Sequence, residues 1–180
     1  MTARGTVLLV GLLGVLGAYL WVVELGPLRA APPAAREAAP LLPVPPAAVA
    51  RVELAEGVRR TTALRAEHGW TDAAGRAWPD GAVTDLIAAL GGLRPLTTVD
   101  ADPATPGDYG LGPGARRLEL AGADGRPFLA LELGERNPAW TGLYARRAGE
   151  PAVLLVGAVL GWELEKLRRA APAPDLTTRR

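Results

Sequence analysis

The chain has no cysteine, no serine and no glutamine, and a single lysine (Lys166), histidine (His68) and asparagine (Asn137). Each absence closes a class of chemistry. Without Cys or Ser there is no thiol or serine nucleophile, no disulfide and no zinc site of the Cys/His kind. A P-loop needs Gly-Lys followed by Ser or Thr, which the sequence lacks. One imidazole alone completes neither a catalytic triad nor a His-rich metal site. A charge excess is missing too: 20 Lys+Arg stand against 19 Asp+Glu, which leaves no footprint for nucleic acid. No cofactor is expected. Arginine makes up all but one of the basic residues, which we read as the coding bias of a GC-rich genome.

What is present divides by region. Thr6 to Val23 carries no charge, and with Glu24 at the interface the apolar run reaches Leu25. As a helix it spans about 27–30 Å, the thickness of a hydrocarbon core. Tyr19 and Trp21 lie near one end, where an aromatic belt belongs. A cleaved signal peptide has a shorter apolar core and small residues at its cleavage site, which Glu24–Arg29 do not supply. A single-pass anchor over residues 1–26 is therefore expected, in an inner (cytoplasmic) membrane with the amino terminus inside and the soluble part extracytoplasmic or periplasmic. Gly11, Gly14 and Ala18 share one helical face and are candidates for close helix packing, although glycine is also common in unpaired spans.

Residues 27–46 hold seven prolines. Proline fixes φ and favours an extended chain, so this segment reads as a semi-rigid spacer reaching up to about 60 Å. Residues 47–169 suffice for one modest core, and 170–180 read as a disordered tail.

Within 47–169, alternation places short strands at Val49–Leu54 and Thr61–Glu67, the pair ending at His68-Gly69-Trp70. Asp80 is placed to cap a helix whose stripe is Val83, Leu86, Ile87, Leu90 and Leu93. A strand follows at Leu96–Val99, and residues 100–115 form a Gly/Pro-rich loop. Two hairpins come next, Arg117–Ala121 with Phe128–Leu133 and Leu143–Arg147 with Ala152–Val156. A last helix runs from Ala158 to Arg169, with Leu160, Leu164 and Leu167 inward and a Glu165–Arg169 pair outward. The expected fold class is α+β: an antiparallel sheet with two packed helices, preceded by a transmembrane helix and a Pro/Ala-rich linker.

Motifs that invite a sharper reading mostly have a plainer one. Gly110-Leu111-Gly112-Pro113-Gly114 lacks the strand before and helix after that a dinucleotide fingerprint needs, so it reads as a turn. Asp100, Asp102 and Asp108 do not follow EF-hand spacing. Arginine doublets occur at 59–60, 116–117, 146–147, 168–169 and 179–180. A doublet in a strand sends its two side chains to opposite faces, so that one guanidinium can hold phosphate, a lipid headgroup or a partner's carboxylate. With near-zero net charge, scattered solvated arginines are the plainer reading. Tryptophan is more suggestive. Trp70 and Trp78 are expected in the core. Trp140 lies in a Gly/Pro/Asn loop from Gly134, and Trp162 on the helix face opposite Leu160, Leu164 and Leu167. Exposed tryptophans are frequent hot spots of protein interfaces.

Several features occur in one order: the anchor, strands ending at Gly69-Trp70, the helix around Leu86-Ile87-Ala88-Ala89-Leu90, Tyr109-Gly110-Leu111 with Pro113, a strand ending Leu133-Gly134, and Leu143-Tyr144-Ala145-Arg146. Over residues 49–169 the chain resembles the bacterial DUF4340 family. The resemblance implies an extracytoplasmic α+β domain, in some members encoded beside ABC-transporter or gliding-type components, with no assigned catalytic residues. The chain departs from the family in its single copy and long spacer. The leading expectation is a non-enzymatic, membrane-anchored interaction domain, an accessory subunit of a transporter-like envelope complex with a protein partner. Trp140, Trp162, Arg146 and Tyr144 are its candidate contact residues. The alternatives are a cell-wall or polysaccharide module that stacks sugar on Trp140, and a carboxylate-based hydrolase with two acids in a deep pocket.

Overall fold

The computed structural model describes residues 12–16, 19, 39–79 and 81–172. The chain divides into two units, Met1–Glu37 and Ala38–Arg180. In the first, residues 12–16 and 19 are helical, and Gly14 has open space around its Cα. Gly11, Ala18 and most of the expected anchor lie outside the described residues. Among the described residues no helix is long and apolar enough to cross a membrane.

The second unit is α+β. Strands β1 (Arg51–Glu56) and β2 (Arg59–Ala66) form the first hairpin, and Gly57 supplies the left-handed turn residue at φ +58°. The alternation predicts that this pair ends at His68-Gly69-Trp70. Instead the chain turns at Glu67-His68 and returns as a third strand, β3 (Gly69–Thr71), antiparallel to β2. Three residues are too few to show an alternation, which is why the pattern missed it. Helix α1 (Ala82–Gly92) buries Val83, Leu86, Ile87 and Leu90 of the expected stripe, whereas Leu93 lies just past its end and is half-buried against the core. Asp80, its expected cap, lies outside the described residues. Then come β4 (Pro95–Asp100), a 3-10 turn at Pro106–Tyr109, β5 (Arg116–Ala121), β6 (Pro127–Arg136), β7 (Gly142–Arg147), β8 (Val153–Gly157) and α2 (Ala158–Ala170).

The eight strands form one sheet in the order β3-β2-β1-β5-β6-β7-β8-β4, every neighbouring pair antiparallel. Alternation gives the sheet two different faces. Val52, Leu54, Leu118, Leu120, Leu131, Leu133, Leu143, Ala145 and Val156 point to one face and join the stripes of α1 and α2 in a single core. Each such leucine, fully withdrawn from water, contributes about 1.5–3 kcal/mol. The other face carries Arg51, Glu53, Arg60, Arg117, Glu119, Glu132 and Arg146.

The core also takes in the end of the predicted spacer. Leu41 and Leu42 are buried, and their amides donate to the carbonyls of Leu93 and Leu90. Arg147 donates to the carbonyl oxygens of Pro40 and Leu41, each at 3.3 Å. Composition marks this stretch as Pro/Ala-rich, but its two adjacent leucines seal the edge of the helical layer.

Candidate functional site

Strand β6 determines the site. Composition predicts a loop from Gly134, whereas the strand continues to Arg136. It does so through a β-bulge: Leu133 faces Ala145, but the next paired residue is Arg136, opposite Leu143. Three steps on β6 match two on β7. A bulge re-aims the side chains beyond it, and here it turns Arg136 onto the face shared by Leu143 and the helices.

Two glycines let neighbouring backbone press against this irregular stretch. A Cβ at Gly134 would collide with the carbonyl oxygen of Tyr109, and one at Gly110 (φ +70°) would meet Glu135. The loop of residues 106–111 thereby packs on the bulge and buries Leu111. This assigns the Gly110–Gly114 run its role as a turn that closes on the sheet.

Beyond Arg136 the chain makes a tight loop fixed by its only asparagine. Asn137 Oδ1 accepts from the Gly142 amide at 3.0 Å, and its Nδ2 donates to Thr141 Oγ1 at 2.9 Å. The Asn137 carbonyl accepts from the Trp140 amide at 2.9 Å. Trp140 is held at φ +59°, a left-handed conformation rare for a bulky residue, and is 70% exposed. The Thr141 carbonyl accepts from the Ala158 amide at 3.0 Å, tying this loop to the start of α2.

Arg136 links the two exposed tryptophans. Its guanidinium carbon lies 5.5 Å from the centre of the Trp140 ring, within cation–π range. Its Nη2 approaches the backbone of α2 at Gly161. With Trp162, Pro79 and Lys166 it lines an open cavity of about 670 Å³. Trp162 is 62% exposed, as its place opposite Leu160, Leu164 and Leu167 implied. Lys166 pairs with Asp85 of α1, and Glu165 accepts from Arg168 and from Arg169 at 2.9 Å. Arg136 makes no ion pair among the described residues. Val159, one turn before Trp162, is exposed as well.

The other two candidate residues lie on the opposite face of the sheet. Tyr144 packs edge-to-face with Tyr109, ring centres 5.1 Å apart. Tyr109 donates to Asp100 Oδ2 at 3.3 Å, and burial followed by this carboxylate pushes its phenol pKa up. Arg146 donates through Nε to Glu132 Oε2 at 3.0 Å, and Arg117 donates to Glu132 Oε1 at 3.0 Å. Burial raises the Glu132 carboxyl pKa, but hydrogen bonds from Arg146 and then Arg117 outweigh it and hold the group below the ordinary glutamate range. The Asp72 and Glu165 carboxyls are lowered as well. A glycosidic general acid needs the reverse, a carboxyl whose pKa is raised.

Trp140 and Trp162 are thus joined through Arg136, while Tyr144 and Arg146 belong elsewhere. Arg136 was missed because Gly134 and the following Asn-Pro mark a loop, which hides both the continuation of β6 and the bulge that turns this side chain to the helix side. The visible signal was Gly134 in the middle of a regular alternation.

The family model described as "Domain of unknown function (DUF4340)" matches residues 79–170. The chain belongs to the DUF4340 family. The matched DUF4340 segment contains α1, β4 to β8 and α2, and with them Arg136, Trp140 and Trp162. Strands β1 to β3 precede it. No curated protein and no solved structure matches the chain.

Proposed function

We propose that this DUF4340 protein is a non-enzymatic interaction domain, held to the membrane by residues 6–25, that docks a protein partner through the face of Trp140, Arg136 and Trp162. The observation that carries the reading is the pair of largely exposed tryptophans beside a guanidinium that makes no ion pair among the described residues. Trp and Arg are the residue types most enriched at binding hot spots. The partner's complementary surface is an apolar recess with an acidic group facing Arg136. We read that partner as a component of a transporter-like envelope complex, an expectation that the DUF4340 resemblance supports. The lack of Ser and Cys supports a role without catalysis.

A photocrosslinking residue placed at position 140 or 162 of the full chain tests this in cells. Both positions are expected to give an adduct of the same mass, and a probe at Arg126, on the β5–β6 turn, none. Absence of adducts at 140 and 162, or equal yields at 126, overturns the reading. The fixed, solvent-facing ring of Trp140 favours a second reading, a platform on which a cell-wall sugar stacks. Retention on isolated wall material that is lost in Trp140→Ala would support it, and unchanged retention would remove Trp140 from that role.

A further inference from the structure

Three of the arginine doublets have a common destination. They lie on β2, at the start of β5 and at the end of β7, and alternation sends one member of each to the sheet face away from the helices. Arg60, Ala55, Arg117, Glu132 and Arg146 form one row of directly paired residues across five neighbouring strands. The other members turn away: Arg116 donates to the Gly134 carbonyl at 3.2 Å, and Arg147 holds residues 40–41. With Arg51, the three converging arginines line a cleft of about 700 Å³. Gly112, Pro113 and Gly114 contribute to its wall, so this part of the face is concave.

The charges in the cleft are arranged unevenly. Glu53 is shared by Arg51 and Arg60, whose Nε lies 3.0 Å from Oε1. Glu132 is shared by Arg117 and Arg146. Each carboxylate therefore offsets one of its two guanidiniums, and each cluster keeps a positive charge. Glu119, directly opposite Glu53, makes no ion pair among the described residues. Four guanidiniums against three carboxylates leave the cleft net positive. Arg60 and Arg117, one from each cluster, flank the methyl of Ala55. With strands about 4.8 Å apart, their backbones stand about 10 Å apart over that small floor. A guanidinium has five N–H donors, so both retain donors to turn into the gap.

We propose that this cleft binds a phosphate-like oxyanion, seated over Ala55 between Arg60 and Arg117. The shared chemistry is that of a free phosphorylated solute or a phospholipid headgroup. The site is independent of the tryptophan face, which lies on the helix side of the sheet.

The test is calorimetric titration of inorganic phosphate into the full chain in detergent micelles. Saturable binding is expected. Arg60→Ala and Arg117→Ala should each weaken it about ten-fold or more, the loss of one charge-assisted fork. Ala55→Leu should abolish it by filling the floor, and Glu119→Gln should tighten it. Arg126→Ala, at an exposed turn, should leave it unchanged. The two arginine variants must keep the wild-type melting temperature within a few degrees, as surface changes do. Adding an anionic phospholipid to the micelles identifies the source. Displacement of phosphate assigns the site to a headgroup and unchanged binding assigns it to a solute, and either result keeps the site. Absence of saturable binding up to about 10 mM phosphate, or wild-type affinity in both arginine variants, overturns the proposal.

Discussion

At the scale of single residues, Trp140 combines an unfavourable backbone conformation with an exposed side chain. Asparagine tolerates the left-handed region better than a bulky residue does. Trp140→Asn should therefore be neutral or stabilising by up to about 1 kcal/mol in urea denaturation, while removing the ring proposed to contact a partner. A loss of several kcal/mol would mean that the ring is structural. Gly134 makes the opposite case. A methyl group there meets the Tyr109 carbonyl, so Gly134→Ala should destabilise by about 1–3 kcal/mol and loosen the 106–111 loop. Glu132 gives a pH signature. Its pKa is lower folded than unfolded, so the stability it contributes is fully present above the unfolded value and is lost as pH falls through the folded one. Between about pH 7 and pH 3 the melting temperature of Glu132→Gln should fall less than that of the wild type. At this scale the exposure of Trp140 and Trp162 was legible, because a Gly/Pro/Asn loop and a helical stripe each determine which side faces water. The pairing of Arg136 with them was not, because Gly134 and Asn137-Pro138 read as a loop, and neither the continuation of β6 nor its bulge shows in the pattern.

At the scale of elements, α1, α2 and the two later hairpins were readable because each has an unbroken apolar period and a turn signal. Strand β3 was not, being too short to show a period. It is defined by its pairing with β2, with Trp70 buried beneath Arg65, whose guanidinium carbon lies 4.6 Å from the ring centre. The second helix is held by its stripe rather than by caps, since Gly157 offers no capping side chain. Leu164, 2% exposed, sits midway along that stripe. Leu164→Ala should cost about 2–5 kcal/mol of unfolding free energy and, by loosening α2, weaken partner binding as well. Trp162→Ala, on the outward face of the same helix, should change stability by less than about 0.5 kcal/mol while reducing binding. The contrast between these two variants separates a helix that must be present from a side chain that must be presented.

At the scale of the molecule, the α+β class followed from counting elements, but the strand order did not. Local hairpins explain β3-β2-β1 and β5-β6-β7-β8. Placing β4 against β8, at the far edge from β3, takes the long-range closure of the sheet over both helices, which no local pattern encodes. The site depends on that closure, because it draws Pro79 before α1, Arg136 on β6 and Trp162 on α2 to one cavity. The apolar segment and proline-rich spacer lead to the expectation that this domain stands outside the inner membrane. Protease added to intact cells should spare residues 47–180 and cut them in spheroplasts, and cleavage only after the inner membrane is broken would reverse that orientation. The central claim is that the tryptophan face holds a membrane partner. Its most direct measurement is affinity purification of the full chain from solubilised membranes, wild type beside a Trp140→Asn, Trp162→Ala double variant. The account predicts one near-stoichiometric partner with the wild type and its loss with an equally stable variant. Recovery of the chain alone, or of the same partner with both, would contradict it.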